Sequence, residues 1–454
     1  MVAPLIVDSV ARFAVANLTA LFASHLSPDA EIIVPTDAAW KNDLQQRWSD
    51  YRAPTYFGAI KPANEEDGQV IVKIAQENAI PFLATGGGHS FSDYSRFDGL
   101  SIDLGKLNST KLDAETNTVS VGGSAKYHQL HDLLYDVGKE LPLASCACPG
   151  IIGSTLGLGP LQGHRGLMID ALESLRVVTA NGTIVMASET DEKDLFWAMR
   201  GAGSNFGIVT SAKFKVHDIT NEGQAMFTQL LFPASANLSY FKVLEQMDRN
   251  MPSRLALTNL RFYDRTVNQS FVGLNAIYFG TEEEGTAALK PFIDLNPINN
   301  TILTGPQSKL FPPILGSCDP NQHINIYSHA IKRTEPETLS WAFGEFNKFW
   351  EKYKGYQGRL LIQRFANDAI RKVGDKDTAY PWRDAVAHIS IEGDKLVEKS
   401  GYSQLAAYSN FARITEDPAS WFSKVKLRRL SALKKHWDPN GLFNYDKPIP
   451  TDKG

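Results

Sequence analysis

The residues best suited to chemistry lie in the stretch LATGGGHSFSD, residues 83–93, where three glycines stand directly before a histidine and a serine. Successive glycine amides can form a concave nest of N–H donors for phosphate oxygens, because no Cβ blocks the approach. The candidate nest comprises Thr85, Gly86, Gly87, Gly88, His89 and Ser90. It would hold the imidazole of His89 within reach of whatever the phosphates carry. A tight turn beside a hydrogen-bonded structural histidine is the alternative interpretation.

Three further glycine clusters repeat this pattern, in SVGGSA from Ser120, PGIIGSTLGLGPLQG from Pro149 and RGAGSNFGIV from Arg200. Four such loops in the N-terminal half indicate a long ligand with several negative charges, and a dinucleotide fits that description. The order of elements argues against a Rossmann site, since GAGSNFG follows a predicted helix and precedes a predicted strand. A P-loop nucleotidase is also unsupported, because no GxxxxGK motif occurs.

The length and charge of the chain limit the other possibilities. The 454 residues predict two domains, and a net charge of −4 gives no electrostatic reason to expect nucleic acid or a membrane as partner. No apolar run approaches the length of a bilayer span. Residues 1–25 predict an amphipathic helix rather than a secretory signal, because Asp8 and Arg12 interrupt the apolar part.

The cysteines and the glycosylation sequons point to different compartments. Three cysteines, two of them in SCACPG, cannot form a disulfide framework. Six N-x-S/T sequons favour a secretory route, but they have meaning only if the chain enters that route. They lie at Asn17, Asn108, Asn181, Asn237, Asn268 and Asn299. The compartment is left open, with the cytoplasm slightly favoured.

The predicted elements change character along the chain. Up to about residue 217, helices such as QVIVKIAQENA alternate with short strands such as IPFLATGG. In that part Asn181-Gly182 predicts a hairpin in which both turn residues have positive φ. After His217, long strands such as SRLALTNLRFYD predict a second α+β domain on an antiparallel sheet. Near the C-terminus, WFSKVKLRRLSALKKHW predicts one helix with a solvated basic face over a docked apolar face.

Several motifs in combination resemble the FAD-linked oxidases of the vanillyl-alcohol oxidase and p-cresol methylhydroxylase (PCMH) superfamily. They are FLATGGGHSFSD with IDLGKL, GIIGSTLG with LQGHRGL, DLFWAMRGAGSNFGIVT, and YSNFA with WDPNGLF. The berberine-bridge-enzyme-like branch, in its fungal form, fits best, and the resemblance covers nearly the whole chain. It implies an α+β, two-domain, FAD-binding PCMH-type fold. Residues 1–217 and 415–454 would form the FAD domain, around an antiparallel-sheet substrate domain at 218–414.

The resemblance also implies how FAD is held. In that family the histidine of GGHS is bonded covalently to the flavin, which maps onto His89. Many members add a second bond through a cysteine in C-x-x-x-G-x-G-G, and CACPGIIG places Cys146 in that register. Cys148 is the alternative, and an inert buried thiol is the interpretation without a tether. Further FAD contacts are expected at Gly150, Gly153, Ser154, Gly157, Gly207 and Ile208.

Two departures from the family pattern bear on the chemistry. The usual T-L-G-G-G-x-G is shortened here to TLGLG, Thr155 to Gly159, which predicts a different loop beneath the flavin ring. Sugar-oxidising relatives use the second tyrosine of Y-x-N-Y as general base, and Phe411 stands at that position here. A phenyl ring cannot accept a proton, so a carbohydrate oxidase is less expected.

Loss of hydride from a substrate C–H is easier when a base takes a proton from the attached O–H or N–H. Tyr408 in AAYSNFA is the first candidate for this base, and Asn410 beside it could orient substrate. The second candidate is His388, which alternates with Ser390 and Glu392 on one strand face. For each of them an ordinary polar surface residue is the alternative.

These features predict an oxidase that transfers hydride from a small specialised metabolite to covalently bound FAD, with dioxygen as acceptor and hydrogen peroxide as product. The reaction would be oxidation of an alcohol or amine C–H, or oxidative ring closure. A non-redox cyclase or isomerase that keeps FAD as a scaffold is the alternative, and a binding protein with an empty nucleotide cleft is a third possibility. No metal site is predicted, because His128 and His131 have no third ligand in view. The substrate and the oligomeric state are left open.

Overall fold

The computed structural model describes most of the chain. Gly157, Ser390 and Glu392 lie outside the described residues, as do residues 1–17, and the side chain of Phe411 is not described. Within the described part no helix is both long and apolar enough to cross a bilayer. The structure describes residues 18–42, 44, 46–144, 146–156, 158–310, 318–321, 323–324, 326–353, 359–389, 402, 404–412 and 415–451.

A four-stranded sheet with strand order β1-β2-β4-β3 begins the described chain. Its strands are β1 (Glu31–Ile33), β2 (Thr55–Lys61), β3 (Phe82–Thr85) and β4 (Asp98–Asp103). Strands β2, β4 and β3 are parallel, and the helix Glu65–Glu77 connects β2 with β3. Ile71 and Val72 of that helix are fully buried against the sheet. Strand β3 therefore delivers the glycine stretch of residues 86–88 to the carboxyl edge of a parallel sheet.

A five-stranded antiparallel sheet follows, with strand order β5-β6-β10-β8-β9. Its strands are β5 (Thr110–Asp113), β6 (Thr118–Gly122), β8 (Leu172–Val178), β9 (Ile184–Ser188) and β10 (Ile208–Lys215). Two short strands, β7 (Lys139–Glu140) and β11 (His217–Asp218), pair beside it. The helices of this part are Ala39–Asn42, Tyr127–Tyr135, Gln162–Arg165 and Lys193–Ala202. The remaining glycine clusters lie at the ends of these elements.

The hairpin between β8 and β9 forms as predicted, but its turn differs from the expected one. Gly182 has a φ of 70°, whereas Asn181 does not have a positive φ. The Gly182 amide donates to the Thr179 carbonyl at 2.9 Å, and Asn181 Oδ1 accepts from the Thr183 amide at 3.0 Å. The asparagine side chain therefore closes the turn, and only the glycine needs the left-handed conformation. The prediction of two positive φ values was wrong.

The C-terminal half contains a seven-stranded antiparallel sheet with strand order β15-β12-β14-β13-β17-β18-β16. The helices Asn237–Asn250, Glu282–Ile293 and Pro336–Lys352 cover one face and enclose a core with Tyr240 and Trp350. The short helices Gln307–Leu310 and Asp368–Lys372 lie between strands. The strands are β12 (Gln224–Pro233), β13 (Leu255–Asp264), β14 (Gln269–Tyr278), β15 (Asn299–Pro306), β16 (His329–Ile331), β17 (Arg359–Phe365) and β18 (Ala387–Ile389).

The C-terminal segment returns to the N-terminal sheets. Trp421, Phe422 and Leu430 pack in the same core as Val119 and Phe214 of the five-stranded sheet. Phe443 packs against the core of the first sheet. The domain boundaries at residues 217 and 414 stay predictions.

The predicted C-terminal helix is broken and only partly solvated on its basic side. Ser423 has a φ of 58° and separates the helices Pro418–Phe422 and Lys424–Trp437. The prediction that the basic residues are solvated was wrong for Lys426 and Lys434, which are 4% and 0% exposed. Lys434 Nζ donates to the Asp438 carboxylate at 2.6 Å, and Lys426 Nζ bonds the Tyr380 carbonyl. Buried oxygen atoms therefore replace the hydrogen bonds that the two ammonium groups would make to water in the unfolded chain.

The interpretation of Cys148 as a flavin tether or an inert thiol was wrong, because Cys148 forms a disulfide with Cys318. Their Cα atoms lie 5.6 Å apart and the residues are 170 positions apart in sequence. Cys318 has no recognisable motif, so only the tertiary structure brings it to Cys148. The bond connects the segment that follows edge strand β15 of the large sheet to the loop that contains Cys146. Cys146 remains a free cysteine.

Removal of this bond should destabilise the protein. A disulfide that closes so long a loop constrains the unfolded chain, so Cys318→Ser should cost about 2–5 kcal/mol of unfolding free energy. Chemical denaturation with and without dithiothreitol measures this loss. Wild-type protein should be sensitive to the reductant, whereas the Cys318→Ser variant should not respond to it. Equal stability of both proteins under oxidising conditions would contradict the disulfide.

Candidate active site

The predicted site residues line one continuous cleft of about 2220 Å³. Loops of the two N-terminal sheets form one wall, and the face of the seven-stranded sheet away from its helices forms the other. Of the predicted residues the cleft wall contains Thr85, Gly86, Gly87, Gly88, His89, Ser90, Cys146, Gly150, Gly153, Ser154, Gly207, Ile208 and Tyr408. Gly157 lies outside the described residues, and His388 is absent from the described lining.

The glycine loops meet backbone to backbone. A Cβ on Gly87 would collide with the backbone of Gly150, and one on Gly150 would come within 2.7 Å of Gly87 N. A Cβ on Gly86 would lie 2.8 Å from the Gly123 carbonyl oxygen. Real Cβ atoms do not make such contacts, so only glycine permits this close approach. Three loops from separate parts of the chain thereby form one concave surface.

The backbone of this surface can still bind an anion. Within the described residues the amides of Gly87, Gly88 and His89 donate no hydrogen bond to the chain itself. Gly88 has a φ of 72°, a conformation that turns successive amides toward a common centre. The nest predicted from the three glycines is therefore present as a set of donors beside the cleft.

His89 is held by residues that the sequence analysis did not identify. The Trp48 ring stacks on the imidazole at 4.7 Å between centroids, and the Trp48 amide donates to the Gly88 carbonyl at 2.9 Å. Arg47 Nη2 donates to the Ser90 carbonyl at 3.1 Å. No local motif marks Arg47 or Trp48, because their role depends on a contact between distant parts of the chain.

The electrostatic surroundings keep His89 neutral. Burial, and secondly the positive charge of Lys126, lower the pKa of His89 to about 4. A neutral imidazole retains a nitrogen lone pair at physiological pH. His89 is therefore prepared to act as a nucleophile toward an electrophilic carbon.

Of the two candidate tethering cysteines, one is occupied by the disulfide. Cys148 is bonded to Cys318, which leaves Cys146 as the free thiol on the cleft wall. Burial raises the pKa of the Cys146 thiol, although hydrogen bonds from the Cys148 and Ala147 amides oppose this. The thiolate form of Cys146 is thus disfavoured in the protein before any ligand binds.

The C-terminal segment completes the wall through Asn205, within the RGAGSNFG cluster. Asn205 Nδ2 donates to the Lys447 carbonyl at 2.9 Å, and Asn205 Oδ1 accepts from the Ile449 amide at 3.1 Å. Lys447 Nζ in turn donates to Ser92 Oγ at 2.7 Å, close to the first glycine loop. No local motif marks these contacts, since each bond joins positions more than two hundred residues apart.

Tyr408 lies on the cleft wall but is only 3% exposed. Asn410 Nδ2 donates to the Tyr408 hydroxyl oxygen at 2.9 Å. Burial raises the pKa of Tyr408 well above its usual value, although hydrogen bonds from the Leu158 backbone and Asn410 oppose this. The phenol is therefore protonated at neutral pH and can donate a hydrogen bond into the cleft.

His388 lies next to Tyr408 and is absent from the described cleft lining. The two rings make an edge contact with centroids 5.7 Å apart, and His388 is 8% exposed. Burial, with a smaller contribution from His329, lowers the pKa of His388 to about 3. A neutral, recessed imidazole of this kind supports the position of Tyr408 and does not itself contact the cleft.

Two family models match the chain, and both include residues of the cleft. The model described as FAD binding domain matches residues 58–188. The model described as berberine and berberine like matches residues 407–450. An FAD-linked oxidoreductase of Aspergillus terreus, tazG, is 46% identical over an alignment of 464 positions, which covers 96% of this chain and 95% of the relative. The chain belongs to the FAD-linked oxidoreductases.

Solved structures confirm the predicted two-domain, PCMH-type α+β fold of this FAD-linked oxidoreductase. The xylooligosaccharide oxidase from Myceliophthora thermophila, in complex with xylobiose, has a TM-score of 0.83 at 23% identity, covering 96% of this chain and 100% of that one. The glucooligosaccharide oxidase from Acremonium strictum has a TM-score of 0.80 at 20% identity, covering 95% and 98%. At these identities the likeness concerns the fold.

The residues present fit FAD. The nest amides of Gly87, Gly88 and His89 suit the pyrophosphate, and the close glycine contacts leave no side chain in that space. Gly207 immediately precedes β10, and a Cβ there would come within 2.6 Å of the Val178 carbonyl oxygen at the end of β8. The first glycine loop therefore offers backbone donors and open space to FAD, whereas Gly207 allows close packing of β8 and β10.

Glycine substitutions should show whether the close backbone contact supports FAD binding. Gly87→Ala should lower both the FAD content per chain and the thermal midpoint, because its Cβ meets the Gly150 backbone. Gly344→Ala is the matched control, since a Cβ there has no atom within 4 Å and Gly344 lies outside the described cleft lining. Absorbance of purified protein and a thermal melt measure the two effects. Equal FAD content in both variants would contradict the assigned contact.

Burial of His388 should make stability depend on pH. The folded-state pKa of about 3 lies below the ordinary 6.5, so only the unfolded chain binds a proton in between. This contribution to stability is complete above pH 6.5 and is lost as the pH falls, by about 1.4 kcal/mol per pH unit. His388→Asn should therefore show a shallower decline in unfolding free energy. The exposed-site variant His128→Asn should keep the wild-type slope, and parallel slopes for all three proteins would contradict the prediction.

Proposed function

We propose that this FAD-linked oxidoreductase is an oxidase that removes two electrons from a C–H bond of a small specialised metabolite and passes them to dioxygen, which becomes hydrogen peroxide. One observation supports this most directly. The loops with His89 and Cys146 share a single cleft with Tyr408 and one face of the large sheet. A cofactor on the loops and a substrate on the sheet would therefore be in contact.

The cofactor is proposed to be attached covalently at His89, with Cys146 as the second attachment point. The Acremonium strictum enzyme, named above as a structural neighbour, carries 6-S-cysteinyl, 8α-N1-histidyl FAD. Support from this chain comes from the neutral imidazole of His89 and from the free thiol of Cys146 in the same cleft. FAD, when bound, supplies the acceptor for hydride from the substrate.

Tyr408 is proposed as the residue that controls the substrate proton. Its hydroxyl oxygen receives hydrogen bonds from Asn410 and from the Leu158 backbone, which stabilise negative charge on that oxygen. The substrate O–H or N–H would bind against this oxygen and transfer its proton there as the C–H bond breaks. His388, the second candidate, would act by holding the Tyr408 ring.

The disulfide between Cys148 and Cys318 favours an oxidising compartment over the cytoplasm. Asn237 is 5% exposed and its amide bonds Ser340, so that sequon is poorly accessible. Four other sequon asparagines are exposed, at Asn108, Asn181, Asn268 and Asn299. Alkylation of thiols in intact cells checks this proposal, with Cys148 and Cys318 expected to be protected from the reagent.

Mass spectrometry of acid-denatured protein tests the covalent link together with the redox function. One FAD increment should be found on peptides that contain His89 and Cys146, and His89→Ala should release part or all of the pigment. Substrate added without oxygen should then bleach the flavin, and admitted air should restore its colour and produce peroxide. A yellow protein that substrate never bleaches would instead favour the FAD-scaffolded cyclase or isomerase.

The raised pKa of Tyr408 predicts an alkaline rate profile. A base must be deprotonated, so kcat/KM should rise roughly tenfold per pH unit below the Tyr408 pKa. Tyr408→Phe should lower kcat/KM by about a hundredfold or more and flatten this profile. Steady-state peroxide production across the alkaline range measures both effects. A flat wild-type profile would show that Tyr408 keeps its proton throughout the reaction.

A further inference from the structure

The cleft face of the large sheet contains a straight row of neutral polar residues. Gln229 of β12 is in register with Asn275 of β14, Asn275 with Thr258 of β13, and Thr258 with Gln363 of β17. All four residues line the cleft. Neighbouring strands lie about 4.8 Å apart, so the row extends over about 14 Å. We call Gln229, Asn275, Thr258 and Gln363 the polar row.

Apolar residues flank the polar row on both sides. On β13, Ala256 lies two residues before Thr258 and is in register with Ile277 and with Phe365. Leu260 lies two residues after Thr258 and is in register with Leu361. These five residues also line the cleft. Polar groups on this part of the floor are thus confined to one narrow line.

One end of the polar row lies beside the proposed proton-accepting residue. His388 of β18 is in register with Gln363, and its ring contacts the ring of Tyr408. Gln363 and Tyr408 both line the cleft. At the opposite end Gln229 Nε2 donates to Asn275 Oδ1 at 3.1 Å, which orients both amides. The row therefore has a reactive end at Gln363 and a distal end at Gln229.

The chemistry of the row restricts what it can recognise. Carboxamides and hydroxyls both donate and accept hydrogen bonds, and they carry no charge to compensate an anion or a cation. A flat ring system would place its apolar atoms over the flanking residues and its oxygens over the row. A pyranose sugar has hydroxyls around its whole rim, so some of them would lie against Leu260 or Ile277 without a hydrogen-bond partner.

We propose that the polar row is the specificity-determining element for a flat, uncharged, fused-ring substrate with hydroxyl or carbonyl oxygens along one edge. This inference rests on the proposed oxidase function and adds the substrate class to it. The oxygen-bearing carbon that is oxidised lies at the Gln363 end, against Tyr408. The distal oxygens bind Asn275 and Gln229.

Equilibrium dialysis of the FAD-loaded protein tests this class without turnover. The probe is umbelliferone, a flat neutral bicycle with a hydroxyl and a carbonyl at opposite ends. Coumarin lacks the hydroxyl, coumarin-3-carboxylate adds a negative charge, and xylobiose represents sugars. Umbelliferone should bind at least tenfold more tightly than each of the other three. Equal or tighter binding of xylobiose or the carboxylate would overturn the proposal.

Variants assign the preference to the polar row. Thr258→Val and Gln363→Leu should each weaken umbelliferone binding about tenfold, the loss expected for one hydrogen bond, and leave coumarin binding within about twofold. Thr301→Val is the matched control, because Thr301 is in register with Gln229 on edge strand β15 but is exposed and outside the described cleft lining. Circular dichroism and FAD content confirm that each variant is folded. Unchanged umbelliferone binding in both row variants would overturn the proposal.

Failure of the polar-row proposal can be distinguished from failure of the oxidase proposal. If umbelliferone binding depends on the row but no tested compound bleaches the flavin, the oxidase proposal fails and the recognition element stands. If a sugar or an amine bleaches the flavin with rates unaffected by Thr258→Val and Gln363→Leu, the oxidase proposal stands and the row is refuted.

Discussion

The close approach of glycine backbones is the constraint on which the rest of this structure depends. Gly87 lies against Gly150, and Gly86 against the Gly123 carbonyl, at distances that no side-chain carbon tolerates. Because the loops come from different sheets, their contact aligns the two N-terminal sheets and creates a concave surface that fits FAD. His89 is positioned as a consequence, since it follows the last glycine of the first loop and stacks on Trp48.

The second wall of the cleft is built on a different physical principle. In the seven-stranded sheet each inner strand is hydrogen-bonded on both sides, and one face is packed against helices. Side chains on its other face therefore hold fixed positions about 4.8 Å apart across neighbouring strands. The backbone of the loops recognises a cofactor common to the family, whereas side chains on the sheet can vary without disturbing the cofactor. This division explains how one fold can serve different substrates.

Long-range bonds hold the loop wall and the C-terminal segment together. Asn205 binds the backbone of the C-terminal segment at Lys447 and Ile449, and Lys434 is buried against the Asn205 carbonyl. Each of these hydrogen bonds replaces water around a polar group with a partner from a distant part of the chain. The disulfide between Cys148 and Cys318 adds a covalent connection from the loop wall to the segment after β15, close to Cys146. Specific bonds therefore fix the shape of the loop wall in addition to apolar packing.

The sequence by itself was sufficient for the glycine nest, His89 and the FAD-linked family, because conformational freedom and phosphate affinity are properties of short local stretches. The motifs CACPGIIG and AAYSNFA were also sufficient to predict that Cys146 and Tyr408 line the site. Only the tertiary structure decided that Cys148 pairs with Cys318, that Lys434 is buried, and that four polar side chains form one row. Those features depend on strand register and on contacts between residues far apart in the chain, and no local pattern encodes either.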